Sequence, residues 1–255
     1  MSSVKLLDKT RKIGLLLHNN DSTKVVFNDI CKVLAQVLES NVIVITKKGK
    51  VIGSGKSIGV NELKSLVSMN IGSHVDDDFN DRLLAVLSTK ENCNLGTLGF
   101  MIPSGKKYTG IISPIEIAGE RFGTIFFYRE NKEYEIDDII LAEYGTTVVG
   151  LEMMRSEYNE MEEDERRHES VKSAVATLTA TERRSLLFVF DELENDEGLI
   201  VASHIADKAG ITRSIFVNAL KKLESAKVLE TRSAGMRGTY VKITNTMIYD
   251  LINEK

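Results

Sequence analysis

Apolar residues in the first forty positions recur at helical intervals. Between Val4 and His18 the set Leu6, Leu7, Ile13, Leu16 and Leu17 predicts a helix. Between Lys24 and Ser40, Phe27, Ile30, Val33, Leu34, Val37 and Leu38 follow the i, i+3, i+4, i+7 rhythm of a helix burying one face. The period then changes. "NVIVIT" reads as a buried strand, followed by a tight Lys-Lys-Gly-Lys turn and a second strand. "VNELKSLVSM" and "DDDFNDRLLAVLS" predict short helices, the second with Asp76, Asp77 and Asp78 in its first turn, where negative charge meets the helix dipole. A loop rich in Gly, Asn, Ser and Lys is expected from Thr89 to Lys107. "YTGIISPIEIAGERFGTIFFYRE" then predicts a hairpin turning at Ala118-Gly119-Glu120-Arg121. Helices before an antiparallel sheet, with a helix after it, imply an α+β sensor domain of the GAF or PAS kind.

From Ile136 to Thr177 there is no proline and little turn chemistry, which predicts one long helix. Its first half is apolar; its second, "EYNEMEEDERRHES", is charged and reads as a solvated interdomain segment. At Thr179 the pattern restarts with the capping-box form Thr179-Ala-Thr-Glu182. The helix this opens carries Leu186, Leu187, Val189, Phe190 and Leu193 and ends in the acidic turn "ENDEG".

The stretch "VASHIADKAGITRSIFVNALKKLESAKVLETRSAGMRGTYVKI" has the form of a winged helix-turn-helix. Ser203 is expected to cap a short helix with Ile205 and Ala206 inward, and Gly210 to make the turn. Thr212 would cap a second helix, Arg213 to Ser225. There Phe216, Leu220 and Leu223 form the inner stripe, leaving Arg213, Ser214, Val217, Asn218 and Lys221 outward, as a recognition helix presents itself to the major groove. A strand–turn–strand wing follows, with Arg232 on its stem and Arg237 at its tip, both suited to phosphate or the minor groove. Lys222 is placed as a phosphate contact, and His204 as a capping-turn or phosphate neighbour.

Charge sharpens this picture. The net charge of −4 hides a segment, Leu199 to Asn245, with eight Lys/Arg against three acids. A basic module on an acidic body hints at nucleic acid, and together with the polar outer face of the second helix it points to double-stranded DNA. The 42% hydrophobic and 27% charged composition is that of a soluble globular chain, with room in 255 residues for two cores. No apolar run reaches the ~18 residues of a membrane span. The charged N-terminus has no signal-peptide core, and Cys31 and Cys93 form no CxxC pair, so a cytoplasmic protein without a disulfide framework is expected.

Catalytic chemistry finds little support. "GKVIGSGKS" ends like a phosphate-binding loop, but the leading glycine should stand at position 50, which is Lys50, and a hairpin turn offers no helix N-terminus. His18, His74, His168 and His204 are scattered, with no HExxH, no Gly-x-Ser-x-Gly elbow and no metal-ligand spacing. A sensor domain, a long helix and a winged helix together imply a ligand-responsive transcription factor. An effector-independent repressor with a scaffold-only GAF domain and a nucleotide-hydrolysing regulator are the competing readings.

The segments "DEGLIVASHIADKAGITRSIFVNALKKLESAKVLETRSAGMRGTYVKI", "DDIILAEYGTTVVGLE", "LLDKTRKI" and "SNVIVITKKGK" resemble the CodY family, pleiotropic repressors of low-GC Gram-positive bacteria. The resemblance covers nearly the whole chain. It implies an N-terminal GAF sensor domain, a long linker helix and a C-terminal winged helix-turn-helix, with boundaries at 1–135, 136–177 and 178–255. It also implies a homodimer, a response to GTP and branched-chain amino acids, and repression of nutrient-adaptation genes. In this family the turn matching Thr46-Lys47-Lys48-Gly49-Lys50 is associated with GTP, together with the start of the long helix, where Glu152 would accept from a guanine edge. Lys47, Lys48 and Lys50 suit a triphosphate as point charges, bound without hydrolysis, although lysines replace two arginines usual in the family. The same lysines also suit a solvated turn with no ligand.

The amino-acid pocket implied by the family departs further. Glu62 stands nearest the position of a carboxylate-clamping arginine, Leu63 and Leu66 stand where methionines would, and Phe100-Met101-Ile102 replaces Phe-Pro-Val. A buried carboxylate without a partner is costly. The missing clamp therefore argues that branched-chain amino acids act weakly or not at all.

Overall fold

The computed structural model describes residues 3–18, 27–63 and 66–252. It divides into two compact units, Met1–Tyr158 and Asn159–Lys255.

The first unit is built on a five-stranded antiparallel sheet of order β2-β1-β5-β4-β3: β1 Asn41–Thr46, β2 Val51–Gly55, β3 Lys90–Asn94, β4 Tyr108–Ile117 and β5 Glu120–Glu130. Helices α1 (Ser3–Gly14) and α2 (Phe27–Leu38) and the first part of α4 (Ile136–Ala176) cover one face, where Ile13, Leu34, Leu38, Leu141 and Val149 meet Val42 and Val44. On the other face Ile43 and Ile45 pack with Leu63, Phe79 and Phe100, beneath α3 (Asp77–Leu84) and the segments around it. Both faces are buried, which is why β1 is apolar without alternation.

Helix α2 lies directly on β2. A Cβ at Gly55 would fall 2.1 Å from the Cys31 carbonyl oxygen. The glycines of "GSGKS" thus serve a close helix–strand approach, in a hairpin and not a phosphate-binding loop. Asp76 caps α3 by accepting from Phe79 N at 3.0 Å.

Several expectations are corrected. No helix forms over the described part of Val60–Met69, while residues 24–26, 64 and 65 lie outside the described residues. The loop expected from Thr89 to Lys107 contains β3, paired with β4, and a 3-10 turn at Leu95–Leu98. Leu7 faces solvent on α1.

The second unit contains the end of α4, then α5 (Ala180–Glu192), β6 (Glu197–Ile200), α6 (Ala202–Ala209), α7 (Arg213–Ser225), β7 (Leu229–Ser233), β8 (Thr239–Ile243) and α8 (Ile248–Leu251). Its sheet has order β6-β8-β7, so part of the expected acidic turn is a strand. The capping box forms: Thr179 Oγ1 accepts from Glu182 N, and Glu182 accepts from Thr179 N at 2.8 Å. Leu186, Val189, Ile205, Phe216, Leu220, Leu223 and Val241 make the core.

Candidate DNA-binding face and effector sites

Gly210, in the left-handed region at φ 67°, ends α6 and turns the chain into α7. Thr212 caps α7, its Oγ1 accepting from Ile215 N at 3.4 Å. Phe216, Ala219, Leu220 and Leu223 fix one face of α7 in the core. Arg213, Ser214, Asn218 and Lys221 are exposed together on the other, whereas Val217 is half-buried against the core. The polar face therefore excludes the one apolar residue assigned to it.

Ser203 does not cap α6. The cap position is Val201, without a side-chain bond, and Ser203 sits exposed in the first turn, because the helix begins a residue earlier than its polar signal. His204 Nδ1 lies 3.7 Å from Glu192 Oε1, which also accepts from Lys208 at 2.7 Å. On the wing, Arg232 and Arg237 are exposed, Arg232 standing 3.7 Å from Glu230.

Lys222, expected as a phosphate contact, has partners within the unit. Its Nζ donates to both carboxylate oxygens of Glu182 at 2.9 Å and to Thr177 O at 3.0 Å. The ammonium is thus bonded within the unit, while the Lys222 side chain remains 37% exposed. Nothing in the local sequence signalled this, since the partners are about 40 residues away.

In the first unit the lysine turn is closed by Gly49 N donating to Thr46 O at 2.9 Å and Lys50 N to Thr46 Oγ1 at 3.1 Å. Lys47, Lys48 and Lys50 all project into solvent. Lys47 stands 3.7 Å from Glu120; among the described residues neither Lys48 nor Lys50 has an ion-pair partner. Lys47 N donates to Phe122 O, which sets the turn beside the β4–β5 connection. At that end of β4, Ile115 and Ile117 lie against Gly150 of α4. Glu152 follows two residues on, 8% exposed and 3.7 Å from Arg155. Gly150 of α4 thus lies at the same end of the sheet as the turn.

The apolar wall expected for an amino acid is partly assembled. Leu63 and Phe100 are buried, with Leu66 and Ile102 packed against them. Phe100 stacks on Phe126 at 5.9 Å and meets Phe79 edge-on at 5.1 Å. Met101 is corrected: at 82% exposed it is not part of the buried wall. Glu62 pairs with Lys56. Sequence reasoning missed Arg82, whose Nη1 lies 3.2 Å from the place a Cβ of Gly99 would take, with Leu66 Cδ1 3.5 Å from the same point. A guanidinium therefore borders the wall from α3.

A separate cleft of about 540 Å³ is lined by Gln36, Glu39, Lys56, Ser57, Arg129 and Lys132, among others. Its lysines are already paired, Lys132 with Glu39 and Lys56 with Glu62. Among the described residues, no group of His, Cys, Asp and Glu could hold a metal ion, and no helix is long and apolar enough to cross a membrane.

Comparison with known proteins supplies the family. Residues 5–177 match the family model of the CodY GAF-like domain and residues 196–255 that of the CodY helix-turn-helix domain. The chain is 41% identical over 249 residues to the global transcriptional regulator CodY of Clostridium acetobutylicum, covering 96% of each. It is 41% identical over 252 residues to that of Clostridium tetani, again covering 96% of each. Among solved structures it is similar to the cofactor-binding GAF domain of the nutrient sensor CodY from Clostridium difficile. The identity is 30%, over 60% of this chain and 99% of that one, with a TM-score of 0.42, too low for a point-by-point structural correspondence. The chain belongs to the CodY family of global transcriptional regulators, with an N-terminal GAF domain, a long helix and a C-terminal helix-turn-helix DNA-binding domain.

Proposed function

We propose that the chain acts mainly as a repressor of nutrient-adaptation genes, binding a two-fold operator as a homodimer and responding to GTP held at the lysine turn. The observation that carries the DNA part is the face of α7, where Arg213, Ser214, Asn218 and Lys221 are exposed while Phe216, Leu220 and Leu223 anchor the helix. Such a face offers donors to base edges and phosphates near the helix start. For GTP the support is three exposed ammonium groups on one tight turn; Glu152, buried on α4, is the proposed guanine acceptor. In this reading the nucleotide acts as an effector and is not consumed. An effector moves the DNA-binding equilibrium only by its differential affinity for the two states.

Branched-chain amino acids act weakly in this reading, because Glu62 is engaged by Lys56 and offers no cation. A second reading is favoured by Arg82, which could meet a ligand carboxylate from α3, beside Leu66 and Gly99. Another alternative, a GAF domain serving only as a dimerisation scaffold, draws on the exposed Val4, Leu7, Leu15 and Ile140.

Calorimetric titration with GTP and isoleucine, on wild type and on Lys47/Lys48/Lys50→Ala, separates these readings. GTP binding lost in the triple variant, with DNA affinity in the absence of nucleotide retained, is the expected result. GTP binding undiminished in that variant overturns the lysine site. Tight isoleucine binding abolished by Arg82→Ala establishes the second reading, and no binding of either ligand leaves the scaffold.

A further inference from the structure

The last turns of α4 are part of the helix-turn-helix unit. Val171, Ala174 and Val175 share one buried cluster with Phe216, Ala219 and Leu220 of α7. Ser170 Oγ donates to Ala226 O at 3.1 Å, at the residue that ends α7. Just beyond α4, Thr177 exposes its carbonyl and Thr179 begins the capping box of α5.

Lys222 closes this junction. An ammonium has three donors, and all three are engaged, by Thr177 O and the two oxygens of Glu182. Glu182 is 5% exposed, and its Oε2 also accepts from Thr179 N at 2.8 Å and Thr179 Oγ1 at 3.0 Å. A DNA phosphate could draw Lys222 away only by leaving this carboxylate buried without a cation, which is strongly unfavourable. Lys221, one position earlier, is exposed and carries no such bond among the described residues.

We propose that Lys222 is a positioning residue for DNA recognition, not a contact to DNA. The Lys222–Glu182–Thr177 junction joins the exit of α4 and the start of α5 to α7. It thereby fixes the line along which Arg213, Ser214 and Asn218 approach base edges. The proposal rests on the reading of α7 as the recognition helix.

The test uses the full chain and two duplexes: one enriched by the wild type from a random-sequence pool, and a scrambled duplex of the same length and composition. Affinities are measured across a salt series, with folding of each variant checked by far-UV circular dichroism. Lys222→Ala should lose about tenfold in affinity for the enriched duplex, the scale of one misplaced base contact, while its affinity for the scrambled duplex and its salt slope stay unchanged. Glu182→Gln should behave alike, and the double variant no worse than either. Lys221→Ala serves as the phosphate control, with a slope reduced by about 0.9. If Lys222→Ala is unfolded, Lys222→Gln replaces it, keeping a donor for Thr177 and losing part of the discrimination. The proposal is overturned if the Lys222 variant flattens the salt slope and weakens both duplexes alike, or if Glu182→Gln leaves binding unchanged or tighter. A wild type that enriches no duplex sinks the recognition-helix reading itself; enrichment by a wild type whose variants match it sinks only the positioning role.

Discussion

The Arg129 guanidinium meets Asp138 Oδ2 at 2.7 Å, joining the end of β5 to the first turn of α4. Arg129 is 2% exposed and also donates to Leu38 O, Lys132 O and Glu133 O, lying 4.0 Å over the Tyr134 ring. Asp138 further accepts from Glu135 N at 3.2 Å. One buried ion pair thus ties α2, β5 and α4 together. Removing one partner from such a pair leaves a charge uncompensated, so Asp138→Asn should cost about 3 kcal/mol. Urea unfolding followed by the tyrosine signal checks this; a loss within error of zero would show that the carbonyls alone satisfy Arg129.

Arg213→Ala addresses the recognition face. Arg213 is exposed in the first turn of α7, where side chains reach base edges in helix-turn-helix docking. The variant should lose about 1–3 kcal/mol of operator affinity and discriminate less at one base position. Its thermal unfolding should match the wild type, because no core contact is removed. Gel-shift titration of a folded variant with unaltered affinity would place the base contacts elsewhere.

How much of this was legible in the sequence depended on the range of the interactions. The capping box at Thr179, the Thr212 cap and the Gly210 turn are set within four residues, and each formed as expected. Strand β1 was legible because burial on both faces leaves an unbroken apolar run. Strand β3, "KENCN", was not. It is an edge strand whose identity comes from pairing with β4, and within it only Cys93 is buried. Lys222 looked like a solvent-facing charge because Glu182 lies 40 positions away. Met101 failed for a related reason: a segment's position beside a pocket does not say which of its neighbouring side chains turns inward.

Both cysteines should be inert in the folded chain. Cys31 is fully buried on the inner face of α2, and burial pushes its thiol up to about 12. Burial also raises Cys93, against a smaller opposing effect of Lys90. The thiolate is the reactive form. Ellman's reagent at pH 8 should therefore titrate essentially neither thiol in native protein and both in denaturant. Rapid native reaction of one equivalent would reveal an opening of the first unit that exposes α2 or β3.

The Glu182 junction also makes the second unit sensitive to acid in a defined direction. Burial pushes the carboxyl up, but the bonds from the Thr179 backbone and from Lys222 outweigh it and hold the group below its ordinary 4.5. A carboxylate depressed in the folded state binds protons more weakly there than in the unfolded chain. Its contribution is therefore fully present above about pH 4.5, the unfolded value, and is lost as pH falls through the folded value. Glu182→Gln removes that titration and should cost about 1–3 kcal/mol at neutral pH, where the lost bonds include charged ones. Thermal melts of wild type and variant from pH 7 down to pH 3 compare the two directly. The gap in stability should be constant near neutrality and narrow below pH 4.5, as the wild-type carboxyl takes up its proton and Lys222 loses its anionic partner. A gap that stays constant to pH 3 would mean that Glu182 is not the group whose charge secures α7 to the exit of α4.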